Sequence, residues 1–355
     1  MHYGSWALAC EPLFVMLKPY DGSCGVEVKQ MQRILLFWCV ASLISIWQTP
    51  HTVAQDTFHT IAKLQFDFVD DVSWSPDGSR LAVTTFPDIH ILDTASYDTI
   101  LTIEYANVSE AVWNSDGTQL ASVAGGNQGN LYIRDSHTGE LLRHLTIFYP
   151  EVEYGVLPMF RLEWSPDDRF IVSDSYALNI VVWDLETEET KVIGGHEWGR
   201  VGSVDWSPES DRIVSAGVDG NLRVWDFESG QNVMNIPAIE GADWHPFENL
   251  ILGSTSDNRT VVWDVDSGDE LAYFNHENRI YISAWNHEGS LIATGSTYGI
   301  INVWDVQSGE NIATIEGNTE FLTDLEWHPE KAMLATVSYN GEVAIREIVT
   351  ERGAD

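Results

Sequence analysis

The sequence predicts an all-β chain arranged as a closed ring of seven small antiparallel sheets. Three observations carry the prediction. A tryptophan followed by a polar tight turn recurs seven times. A second motif, Trp-Asp or a near variant, follows each copy at an almost constant distance. The stretches between them are short β-rich runs bounded by Gly, Asp and Asn, which is the composition of strands joined by turns. At 44% hydrophobic and 11% aromatic, the 355 residues can bury a sizeable core, which excludes general disorder.

The first motif reads Trp74-SPDG, Trp113-NSDG, Trp164-SPDD, Trp206-SPES, Trp244-HPFE, Trp285-NHEG and Trp327-HPEK. Successive tryptophans are 39, 51, 42, 38, 41 and 42 residues apart. The partner motifs are Leu92-Asp93, Arg134-Asp135, Trp183-Asp184, Trp225-Asp226, Trp263-Asp264, Trp304-Asp305 and Arg346-Glu347, lying 19, 22, 20, 20, 20, 20 and 20 residues beyond. Each unit reads as four strands. The Ser-Pro-Asp-Gly turn joins the first to the second. Tight-hairpin dipeptides such as Asp219-Gly220 and Asn340-Gly341 join the second to the third. Ser229-Gly230, Ser267-Gly268 and Ser308-Gly309 turn into the fourth. A period of about 40 residues is the length of one propeller blade, so the fold predicted is a seven-bladed β-propeller of four-stranded antiparallel blades.

Closure follows from counting. Beyond Glu347 there is no room for a fourth strand, whereas Thr57-FHTIAKLQF resembles the outer strands of other units. An N-terminal strand therefore completes the last blade, which leaves the ring no free end. The ring is predicted over 55–350, with 351–355 as a tail. The spacing of 51 reflects a longer connection, Thr146-IFYPEVEYGVLPMF, before the third blade.

These residues resemble the WD-repeat β-propeller family over roughly 57–349. The likeness rests on the four Trp-Asp dipeptides, the seven Trp-turn motifs and Gly195-His196. It implies a scaffold that binds other proteins. It also implies a hydrogen-bonded set in each blade: a His before the first strand, a Ser or Thr on the second, an Asp in the hairpin and the Trp of Trp-Asp. One blade matches in full, through His196, Ser215, Asp219 and Trp225. Asp257 with Trp263 and Thr294 with Trp304 match in part. Blades one, two and seven lack the Trp, so hydrophobic packing between blades is expected to carry more of their stability.

The N-terminus is read separately. Ile34 to Trp47 is a run of 14 uncharged residues, shorter than the ~20 a membrane span needs. It follows Arg33, and Thr52-Val53-Ala54 supplies small residues for cleavage before Gln55. Residues 31–54 are thus expected to be a signal peptide, and 1–30 an upstream mis-start or disordered segment. The destination is extracytoplasmic or secreted; the alternative is a membrane anchor over residues 34–47. The only cysteines are Cys10, Cys24 and Cys39, so residues 55–355 hold no disulfide, thiolate or zinc–thiolate site.

Charge narrows the partners. With 18 Lys+Arg against 54 Asp+Glu the net charge is −36, which opposes nucleic-acid binding and anionic lipid. No phosphate loop, nucleophile turn or paired metal-ligand spacing is present, so neither enzyme activity nor cofactor nor metal is expected. Asp264 to Glu270 has the oxygen-rich look of a calcium loop, but it falls where other blades place their third turn.

Loops entering the first strands, and hairpins after the second, should share one rim. There the sequence puts Tyr154, Met159, Phe160, Tyr176, Trp198, Arg200, Val218, Arg279, Tyr281, Tyr298, Phe321 and Tyr339. Aromatic and Arg side chains favour interface hot spots, although the same residues also suit packing between blades. Asp70, Asp71, Glu110, Glu151, Glu153, Glu197, Glu240, Glu277 and Glu320 are expected on the same rim, where they would steer a basic partner. The reading is a monomeric, exported, non-enzymatic scaffold binding a protein or peptide. The alternatives are an extracytoplasmic propeller hydrolase with a channel-bound cation, or a carbohydrate-binding propeller.

Overall fold

The computed structural model describes residues 58–104, 108–124, 129–147, 161–174, 178–198, 201–316 and 321–349. The divisions expected at 1–30 and 31–54, and the tail at 351–355, lie outside them. The described chain forms seven four-stranded antiparallel sheets and, among the described residues, no helix. Blades one to six cover 69–103, 108–147, 162–195, 201–236, 240–275 and 280–315. In each, the four strands pair in chain order.

The seventh blade is composite. Leu322–Trp327, Met333–Ser338 and Glu342–Ile348 pair in order, and Phe58–Gln65 adds antiparallel as the outer strand. The register runs from Phe58 opposite Ile348 to Gln65 opposite Glu342. Lys63 meets Glu342 at 2.9 Å, and the Phe66 N–H donates to the Gly341 carbonyl at 3.0 Å.

Turn chemistry explains the repeats. In Ser75-Pro76-Asp77-Gly78, the Ser75 hydroxyl and the Ser79 N–H both donate to Asp77 Oδ1, at 2.7 and 3.0 Å. Those bonds lower the Asp77 carboxyl to about 2. The Asp of the second motif caps the next turn, as where the Ser229 N–H donates to Asp226 at 2.8 Å. Asp264 does the same for the Ser267 N–H at 2.7 Å, so the calcium-like stretch is a member of this turn series. All seven motif tryptophans end their first strands buried, between 3% and 6% exposed.

The core lies between blades. Its clusters join adjacent sheets, as where Val337, Val343 and Ile345 meet Val69, Val72 and Trp74 across the seam. Burying flat apolar faces against their neighbours is the dominant stabilising term in such repeat folds.

Blades two and seven, which lack the second Trp, depart from the purely hydrophobic expectation, whereas blade one keeps buried Leu92 at that place. In blades three, four and six the indole N–H donates to the second-strand hydroxyl: Trp183 to Ser173 at 3.0 Å, Trp225 to Ser215 at 3.0 Å and Trp304 to Thr294 at 3.2 Å. In blade two the Arg134 guanidinium donates to Ser122 at 3.2 Å, and in blade seven Arg346 donates to Thr336. A long, donor-rich arginine thus fills the indole's place and bonds the same acceptor.

Candidate functional site

The rim assembles because the strands of each blade are antiparallel, which puts the entering loops and the hairpins after the second strands at one end. Trp198 stands 60% exposed, Tyr298 67% and Tyr339 60%, while Val218 and Phe321 are also exposed. Tyr154, Met159, Phe160, Tyr176 and Arg200 lie outside the described residues.

Several of these residues follow one another in an arc across blades six, seven and one, as two ring pairs joined through the backbone. Tyr281 meets Phe321 edge-on at 5.1 Å. The Tyr339 N–H donates to the Phe321 carbonyl at 2.8 Å. Tyr339 then meets Phe68 edge-on at 6.0 Å. Edge contacts of this kind fix ring orientation while leaving ring faces open. Arg279 lies over the face of Tyr281 at 4.9 Å and reaches Glu240 at 3.8 Å. Trp198 and Val218 stand instead at blade four. Phe68 and Phe86 are exposed rim aromatics that sequence reasoning missed. Both stand at strand ends, Phe68 before Val69 and Phe86 after Thr85, where an aromatic reads as core.

The acidic residues divide, and four depart from expectation by lying on first strands: Asp70 and Glu240, half-buried there, and Asp71 and Glu110, buried. Asp67 and Glu277 are exposed beside the arc, and Glu197 is exposed on blade four. Asp71 and Glu110 do not lie on rim loops. They sit on innermost strands, 5% and 8% exposed, along the channel wall. Glu151, Glu153 and Glu320 fall outside the described residues.

The channel wall is a system of its own. Carboxylates on one innermost strand accept backbone N–H groups from the next blade: Ala111 donates to Asp71 at 3.3 Å, Trp244 to Asp205 at 2.6 Å and Trp285 to Asp243 at 2.6 Å. The seam repeats the pattern, with Val72 donating to Asp324 at 3.0 Å and Trp74 to Glu326 at 2.7 Å. One residue or three residues before the Trp is the recurring position. An acid there in an otherwise apolar strand is the signal that would have found them.

A cavity of about 380 Å³ runs along this wall, lined by Tyr281 at one end, by Glu110, Glu163, Asp243, Asp324 and Glu326, and by Arg161 and His287. Desolvation raises Glu110 to about 8 and Asp205 to about 6, and raises Asp71, Glu163, Asp243 and Glu326 well above the usual range. Mutual repulsion adds to the rise at Asp71, Glu163, Asp243 and Glu326. Their environment is set by protein: buried walls, one another, and the backbone N–H groups of the next blade that partly offset the rise. Burial opposes the charge on Arg161, but Glu110, Asp324 and Asp71 hold its guanidinium firmly protonated. Among the described residues, no three His, Cys, Asp or Glu side chains converge in a metal-binding cluster.

Blade four brings His196, Ser215, Asp219 and Trp225 together. His196 Nδ1 meets Asp219 at 2.9 Å, His196 Nε2 meets the Ser215 hydroxyl at 2.9 Å, and Arg223 joins Asp219 at 2.7 Å. Burial works to raise Asp219, but His196, the Glu197 N–H and Arg223 hold its carboxyl low. Burial lowers His196. The set is closed on itself, with the His and Asp side chains 0% and 1% exposed, and so ties a loop to a sheet. Asp257 instead accepts from Thr255 and Arg259, and Gly253 stands where this blade would need the hydroxyl for Trp263.

The sequence profile described as "WD domain, G-beta repeat" matches residues 187–226, 268–305 and 309–345, each spanning parts of consecutive blades. Three matched repeats within a ring of seven four-stranded blades decide the family. The chain is a WD-repeat propeller. The human Angio-associated migratory cell protein is 30% identical to this propeller over 67 residues, 19% of this chain and 15% of that protein. Protein tipD of Dictyostelium discoideum is 33% identical over 66 residues, 18% of this chain and 11% of that protein. The propeller thus matches well under a fifth of the length of either relative. WD-repeat propellers generally serve as protein-interaction scaffolds rather than enzymes.

Proposed function

We propose that this propeller is an exported, non-enzymatic scaffold that binds a protein or peptide through the rim of blades six, seven and one. The observation that carries the reading is two edge-on ring pairs, Tyr281 with Phe321 and Tyr339 with Phe68, tied together by the backbone bond from Tyr339 to Phe321. Phe321, Tyr339 and Phe68 are exposed and Tyr281 is half-buried beside them. Exposed aromatics of this kind are characteristic of interaction surfaces, and these are held by paired strands, so docking orders little that is not already ordered. The reading makes the protein a monomer whose surface acts as a platform.

Export is supported by the uncharged Ile34 to Trp47 run and the Thr52-Val53-Ala54 site. N-terminal sequencing of the native protein should return Gln55; a retained hydrophobic run would point to an anchor instead. The rim assignment is tested by affinity capture from native extracellular fluid. The full chain should recover partners that the Phe321→Ala, Tyr339→Ala double variant loses, while Trp198→Ala on blade four keeps them. Equal recovery by all three proteins would remove the rim from the interface.

A further inference from the structure

We propose that the segment this rim accepts is cationic: a lysine- or arginine-bearing stretch that lies along the arc from Tyr281 to Phe68 and turns a basic side chain into the channel mouth. The inference rests on the rim being the binding surface and adds the chemistry of what binds.

Three observations converge on it. The first is charge. Asp67 and Glu277 flank the arc on its exposed side, and the cavity that begins at Tyr281 is lined by five carboxyl side chains with Arg161 and His287. Five carboxyl groups against the one guanidinium of Arg161, within low-dielectric walls, make the opening increasingly negative as those carboxyls ionise. The second is the ring faces. Arg279 already lies over Tyr281 at 4.9 Å, so this surface holds a guanidinium against an aromatic face. The third is exclusion. An apolar partner seated across the arc would strip water from Asp67 and Glu277 without giving them a countercharge, which is costly. An acidic partner would meet repulsion.

Burial raises the channel carboxyls, so part of the ring carries protons near neutral pH. A cation entering the mouth favours their ionised forms and expels those protons. Binding should therefore tighten as pH rises from 6 to 8.5. Adsorption to ordinary exposed carboxylates, already fully ionised in that range, would not change.

The test uses the full chain and three fluorescein-labelled 12-residue peptides, alternating Lys-Ala, Glu-Ala and Ser-Gly, read by fluorescence anisotropy. The Lys-Ala peptide alone should bind saturably and tighten severalfold from pH 6 to 8.5. It should weaken at least tenfold in the Phe321→Ala, Tyr339→Ala double variant, the loss expected from removing hot-spot aromatics. It should be unchanged by Glu228→Gln with Asp266→Asn, carboxylates on turns at the opposite end of the blades. Equal binding of the three peptides, equal loss in the remote variant, or a flat pH profile would each overturn the inference. A benzoylphenylalanine crosslinker placed at Tyr339 separates this from the scaffold reading. Crosslinks to a neutral or acidic segment of a rim-dependent partner would retain the scaffold and reject the cationic segment.

Discussion

The Arg346 guanidinium donates to the Thr336 hydroxyl in the position that the Trp183 indole takes against Ser173. The seventh blade therefore keeps the bond of the Trp-bearing blades without the tryptophan, and keeps it with a side chain only 3% exposed.

Removing that arginine should be costly. Arg346→Ala leaves a void and a buried hydroxyl that loses a donor, a loss of about 2–4 kcal/mol in urea unfolding. Arg346→Trp supplies a donor of the kind used in blades three, four and six and should recover most of it. If the alanine and tryptophan variants unfold at the same urea concentration, the exchange of arginine for indole is not what stabilises the blade.

Ser215 bridges the blade-four set: its hydroxyl donates to His196 Nε2, whose Nδ1–H faces Asp219, and accepts from the Trp225 indole. Ser215→Ala orphans two buried groups and should cost about 2–4 kcal/mol. Ser215→Thr should be tolerated, since Thr294 accepts an indole in blade six. A neutral alanine variant in chemical denaturation would show the set contributes nothing to folding.

Stability should fall as pH rises toward 8. The folded state keeps protons on channel carboxyls that the unfolded chain gives up near 4, so their contribution is complete below about 4. It is lost as pH climbs through the folded values, about 6 for Asp205 and then about 8 for Glu110. Asp77 and Asp219, both lowered, act oppositely: they stabilise above their ordinary 3.8, and that contribution disappears in stronger acid. The melting temperature should be higher at pH 5.5 than at 8.5, and Asp205→Asn should flatten the slope. A melting temperature that climbs over this interval contradicts the buried-carboxyl account.

Gly341 should be intolerant of any side chain. Its φ is +82°, and an added Cβ would stand 2.1 Å from the Phe66 carbonyl oxygen of the N-terminal strand. Gly341→Ala combines left-handed strain with that clash and should cost at least about 1–3 kcal/mol. Gly309→Ala, at φ +72° with nothing near its Cβ, carries the strain alone and should cost less. Hydrogen exchange at Phe58–Gln65 should rise in the first variant and not in the second.

The ring and its closure were legible because both rest on periodicity: the tryptophan spacing counts blades, and the outer-strand likeness of Thr57-FHTIAKLQF finds the missing strand. The bonds of Arg134 and Arg346 were not, because a lone arginine in a strand reads as solvent-facing until its hydroxyl partner ten or twelve residues away is seen. Asp71 and Glu110 were read as rim residues because their N–H partners lie a whole blade further on, at Ala111 and Leu162. The aromatic rim was visible only in pieces. Tyr281, Phe321 and Tyr339 stand out as rim residues, but Phe68 joins them through the blade that the chain's two ends share.

That shared blade has a consequence for synthesis. Phe58–Gln65 leaves the ribosome before the other strands and must wait, unpaired along one edge, until Glu342–Ile348 emerges to receive it. Six sheets can form in order of translation, but the circle cannot shut until residues 342–348 have been made. A product cut short before residue 342 would carry an orphaned strand at one end and an open flank at the other, the kind of exposed edge that quality-control proteases and aggregation both seek out.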